Sequence, residues 1–157
     1  MRDPVLQLTS FVRALGGSIP PTNQLEWELG RTGEAPLMPP SVFGFYSQLF
    51  RVPHTALAGP EFHIYSPTEA VLRGNLMVRA MTNPGGDFAL DITPFTAAAG
   101  NIVALIDKVD QTLLYGRMPA TMRQSLATAI AAQLDTRERA LTALILTALS
   151  GLHAVQH

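Results

Sequence analysis

Glu61, His63, Glu69 and Arg73 lie close together in the stretch GPEFHIYSPTEAVLRG, residues 59–74. Carboxylates, an imidazole and a guanidinium are the groups that general acid/base chemistry uses. In an extended segment, side chains two apart project to the same side. Glu61 and His63 would then address one substrate proton or one metal ion. With Glu69 or Arg73 assisting from a following helix, the set reads as a small hydrolase of polysaccharides or esters. Each residue also has a structural use. Ser66–Glu69 (SPTE) fits a capping box: the serine hydroxyl accepts from the first-turn backbone, Glu69 reaches back to the Ser66 amide, and Pro67 occupies the first helical position. Capping outweighs catalysis for Glu69. For Glu61, an anchoring ion pair with Arg73 or Arg79 outweighs an acid/base role. His63 reads as a structural histidine, because a metal site needs more than two convergent groups.

The remaining chemistry is sparse. His153 and His157 have i, i+4 spacing, but two imidazoles do not make a zinc site. Asp107 and Asp110 are expected on the solvated face of a helix, opposite the stripe Ile102–Leu113. DTRE, from Asp135 to Glu138, repeats the capping-box pattern. There is no nucleophile elbow, no phosphate-binding glycine loop and, with no cysteine, no thiolate chemistry. No metal and no cofactor are expected.

These residues sit in a chain of 157 residues, 47% hydrophobic and only 15% charged, where about 25% charged is usual. Such a chain must bury much of its surface in itself or against a partner. A net charge of -1, with ten arginines and one lysine scattered along the chain, gives no footprint for nucleic acid and no polybasic membrane anchor. The N-terminal stretch lacks the unbroken apolar run of a signal peptide. ALTALILTALSGLHAV, residues 140–155, is interrupted by polar residues and reads as a buried helix rather than a membrane span.

Asp3-Pro4 starts a helix that Gly16-Gly17 stops, with Val5, Leu8, Val12 and Leu15 on one stripe. From residue 17 to 66 the periodicity disappears. Most of the prolines and the aromatics Trp27, Phe43, Phe45, Tyr46, Phe50, Phe62 and Tyr65 fall there or at its edge. That combination predicts an ordered wrap pinned to a core by ring burial, rather than a sugar-stacking surface; SVFGFYSQLF is expected to hold a short helix. A helix follows from Ser66 to about residue 80, then a turn over residues 82–87 and a short extended segment through Phe88, Leu90 and Ile92. Residues 100–157 carry three amphipathic stripes: Ile102–Leu113, then Met122, Leu126, Ile130 and Leu134, then Leu141–Leu152. The expected fold is mainly α, a bundle of about five helices in one domain over residues 1–157, with at most a short strand.

The opening RDPVLQLTSFVRALG, then PLMPPSVFGFYSQLFRVP, GPEFHIYSPTEAVLRGNL, LDITPF, LLYGRMPATMRQSLATAI and RALTALILTALSGLHAVQH, resemble the C-terminal part of the bacterial domain-of-unknown-function family numbered 1800. The resemblance spans essentially the whole chain, most specifically PPSVFGFYS and GPEFHIYSPTEA. It implies a parent several times longer, often exported, with no established reaction and hence no catalytic set to carry over. His63 stands where the family commonly has glutamine, and His157 where arginine is common; the first departure weakens any metal role for His63. The resulting expectation is a non-catalytic helical packing and interaction module of a larger, exported protein. It should associate with itself or with another protein, such as the rest of the parent. The alternative is the hydrolase built on Glu61 and His63.

Overall fold

The computed structural model describes residues 2–19, 23–83 and 88–155, except for the side chains of residues 23, 24 and 26. Most of the expected turn at 82–87, along with Pro20, Pro21 and His157, lies outside the described residues. The fold is mainly α, and among the described residues the extended segments form only isolated bridges. The helices are α1 (Pro4–Ala14), α2 (Asn23–Arg31), α3 (Pro67–Thr82), α4 (Thr93–Ala98), α5 (Ile102–Val109), α6 (Ala120–Ala131), α7 (Thr136–Ala148) and α8 (Gly151–Ala154).

Local chemistry starts most of them. Asp3 caps α1 by accepting from the Leu6 amide at 2.7 Å. Ser66 and Glu69 form the full capping box of α3, with Pro67 in the first turn. Asn101 accepts from the amides of Val103 and Ala104 to start α5. The box expected at α7 is half formed: Asp135 accepts from the Arg137 amide, while Glu138 pairs at 3.7 Å with the Arg137 side chain beside it.

α7 is the centre of the molecule and packs against α3, α4, α5 and α6. Its apolar residues run around the helix, as a buried helix requires, and Ala140, Ala143 and Ala148 let neighbours approach closely. Leu8, Phe11, Leu76, Phe88, Phe95, Leu105, Ile130 and Leu144 complete one core. Burying each such side chain is worth about 2 kcal/mol. Leu134, placed on the second stripe by its spacing, falls beyond the end of α6 and is exposed. The segment through Phe88 is held by a bridge between Ser18 and Ala89 and by the Asp91 amide donating to Leu15. No helix among the described residues is long and apolar enough to cross a membrane.

Residues 17–66 depart from the expected wrap in two ways. α2 forms inside them and packs on α3. Leu25 and Leu29, four apart, supply its inner face. Beyond it, residues 36–58 form an arm of turns closed on itself by bridges between Ser41 and Gly44 and between Arg51 and Ala58. SVFGFYSQLF is part of this arm and is not helical. The rings expected to pin the segment do not enter the core, whose buried phenylalanines are Phe11, Phe88 and Phe95. Leu37 is 98% exposed, Val42 95%, Leu49 89% and Phe43 76%.

Candidate functional site

Between the arm and α3 runs a single turn of 3-10 helix, Pro60–Ile64. That turn decides the fate of the Glu61–His63 pair. A 3-10 turn has three residues per revolution, so side chains two apart point roughly 120° away from each other. The common side expected from an extended segment is therefore not present. His63 lies against the arm: its Nδ1 accepts from the Ser47 amide at 3.2 Å and its ring stacks on Phe50 with centroids 4.9 Å apart. With Nδ1 accepting, the neutral ring carries its proton on Nε2. It thus offers a donor and not the lone pair a general base needs. Together with Phe43, Phe45, Tyr46, Leu49 and Pro40, His63 lines a cleft of about 550 Å³ that has no carboxylate in its wall.

Glu61 forms no ion pair among the described residues, contrary to the anchoring role expected of it. The two arginines it was expected to meet are engaged elsewhere. Arg79 pairs with Glu28 of α2 at 2.7 Å. Arg73, 4% exposed, points inward from α3 and donates to the carbonyls of Ile64 at 2.7 Å, Thr32 at 3.2 Å and Arg2 at 3.3 Å. It also lies over the Tyr65 ring at 4.9 Å. Burial pulls the guanidinium below its usual range, opposed by Tyr65, Asp3, Glu34 and Glu69; an arginine nonetheless stays charged. Glu69 is held below the ordinary carboxylate range, first by the Ser66 hydroxyl. Glu69 and Arg73 are thus neighbours one helical turn apart, whereas Glu61 and His63 do not join them in one cleft.

Gly33 lets the chain pass beneath this arginine. Its φ is +103°, and a Cβ there would sit 2.9 Å from the Ile64 carbonyl oxygen that Arg73 binds. Arg73 therefore gathers three chain segments: the residue before α1, the turn after α2 and the end of the 3-10 turn. Glu34, next to Gly33, faces Asp3 and Arg73, and burial together with the Asp3 carboxyl raises its pKa. No local pattern along the chain points to this cluster, because its members are far apart in sequence.

Two further polar positions differ from expectation. α5 runs into a π-turn over Asp110–Leu114, and Asp110, one helical turn after the buried Ile106, is 1% exposed. Its carboxylate accepts from the Met118 amide and from Arg123, which also bridges to Asp107. Asp107 is exposed, as a solvated face requires, whereas Asp110 is buried and clamps α5 to α6, and among the described residues no cluster of metal-ligating groups occurs. His153 is fully buried against the edge of Phe11, with ring centroids 6.0 Å apart. Burial and the nearby Arg2 lower its pKa to about 4, so it packs as a neutral ring.

No curated protein and no solved structure matches the chain. One family model does, over residues 1–150, described as "Protein of unknown function (DUF1800)". The arm, the capping box and helices α3 to α7 fall within the match, and the chain belongs to that family.

Proposed function

We propose that this chain is a non-catalytic packing and interaction module, and that its arm seats against the remainder of a longer, exported family protein. The observation that carries the reading is the arm itself: Leu37, Met38, Val42, Phe43, Leu49 and Leu57 are exposed on one self-closed segment. Single exposed apolar residues are ordinary, but six on one short segment point to a surface made to be covered. Its only groups with positive charge capacity are Arg51 and His54, and it has no carboxylate. An apolar, nearly uncharged protein face suits it better than nucleic acid or an anionic lipid surface. Expressed alone, the chain should satisfy the same surface by self-association. Sedimentation of the isolated chain, with binding of an apolar dye, tests this. Association with strong dye binding supports the reading, and a clean monomer with little dye binding refutes it.

The second reading, a hydrolase of polysaccharides or esters with Glu61 and His63 as acid and base, draws on one observation: His63 forms part of the wall of the apolar cleft. It requires Glu61, Glu69 or Arg73 to be brought to that cleft by a rearrangement of the 3-10 turn, within about 3 Å of the reacting atom.

A further inference from the structure

Glu34 occupies the short joint, residues 32–35, between α2 and the arm, and one of its oxygens, Oε2, is buried with no hydrogen-bond donor among the described residues. What it faces is a second carboxyl, that of Asp3. Neither ionised carboxylate can donate to the other. The cations nearby do not resolve the conflict. The Arg73 hydrogen bonds go to the carbonyls of Thr32, Arg2 and Ile64, and toward Glu34 it acts through its charge. That charge is shared with Glu69, which lies on the same helix and whose Cγ sits 3.5 Å from the Cβ direction of Gly33. Arg2 presents its carbonyl to Arg73 and sets its side-chain charge against His153 of α8. Tyr65 covers the other face of the guanidinium. One Asp3 oxygen is already committed to the Leu6 amide as the cap of α1.

We propose that Asp3 and Glu34 share a single proton, and that this proton latches the base of the arm to the start of α1. A hydrogen-bonded carboxyl–carboxylate pair holds the turn Thr32–Glu34 against the bundle. Loss of the proton turns the same contact into like-charge repulsion in a half-buried place. The sign follows from Glu34, whose pKa lies above the ordinary carboxylate value, with burial the largest cause and Asp3 next. Such a group contributes stability that is fully present in acid and is lost as pH rises through its folded-state pKa. The latch is therefore tight in acid and relaxed toward neutral pH, and what it relaxes is the joint from which the apolar arm springs. This holds whatever the arm binds, so its failure and the failure of the packing reading are separate results.

The test is amide hydrogen exchange at Thr32, Gly33 and Glu34, whose N–H groups donate to Leu29, Gly30 and Leu29, in the full chain and in Glu34→Gln. The glutamine amide donates to Asp3 at every pH, so the variant is a latch that cannot release. At pH 7.5 the three amides of the wild type should exchange about tenfold faster than those of the variant, after correction for intrinsic rates, and the two proteins should converge near pH 4.5. Asp3→Asn, which keeps a good cap for α1, should slow exchange in the same direction and guards against a fault peculiar to one substitution. Equal exchange in wild type and both variants at pH 7.5 overturns the proposal. So does faster exchange in Glu34→Gln, which would make Glu34 an ionised partner of Arg73.

Discussion

The Arg73 guanidinium donates to the Ile64 carbonyl at 2.7 Å, joining α3 to the turn that carries Glu61 and His63. A charged group placed this deep, with carbonyl oxygens on several sides, acts as a tether. Chemistry would need it facing an open cleft with room for a substrate, and the hollow beside it holds only about 20 Å³.

Replacing Arg73 by methionine should therefore unfold the chain at a lower denaturant concentration, with a loss of about 3 kcal/mol, because three buried carbonyls lose their donor. Arg73→Lys should recover only part of the loss, since an ammonium is a single point and not a planar fork. Equilibrium denaturation of both variants is the check. Wild-type stability in Arg73→Met would contradict the tethering role.

His153 predicts an acid-sensitive core. Its pKa is lowered from 6.5 to about 4, so folding excludes a proton. The stability it supplies is present above pH 6.5 and is lost as pH falls toward 4, by about 3 kcal/mol in all. Glu34 works in the opposite direction over the carboxylate range, so the comparison is best made in Glu34→Gln. In that background His153→Leu should flatten the fall in melting temperature between pH 6.5 and 4. An unchanged slope would show that the imidazole is not what resists acid.

Asp110 and Arg123 clamp α5 to α6. Asp110→Ala should cost about 2 kcal/mol by orphaning the buried Met118 amide, Arg123 keeping Asp107, whereas Asp110→Asn should keep the amide bond and cost less. Thermal melts of the two variants would rank them; equal costs would mean that charge alone matters at this site.

How much of this was legible in the chain depends on separation along it. Asp3, Ser66, Glu69 and Asp135 act on amides within a turn of themselves, so their capping roles follow from local spacing. The stripes of α1, α5, α6 and α7 follow from a period of 3.6 residues. Arg73 reaches partners 41 and 71 positions away, and no local pattern encodes such a contact. Asp110 misled because a carboxylate suggests a solvated face, although its position one turn after Ile106 sets it at the edge of the buried stripe. The aromatics of the arm misled for another reason. Ring burial is the common use of phenylalanine, yet the buried rings are Phe11, Phe88 and Phe95, and Phe43 is left exposed.

Glu61 separates module from hydrolase. It makes no ion pair among the described residues, so Glu61→Gln should leave stability within about 0.5 kcal/mol of wild type. The packing reading expects no turnover of esters or polysaccharides by either protein. Turnover by the wild type that disappears in Glu61→Gln, with the melting temperature held, would establish the hydrolase instead.

The most direct measurement is sedimentation velocity of the wild type beside a double variant, Phe43→Ser with Leu49→Ser. Both side chains point into solvent, so the variant should melt with the wild type. Its association and dye binding should fall at least tenfold, the loss expected when a buried apolar contact worth about 1.4 kcal/mol or more is removed. A variant that associates as strongly as the wild type would show that the arm is not the surface this chain uses to meet other proteins.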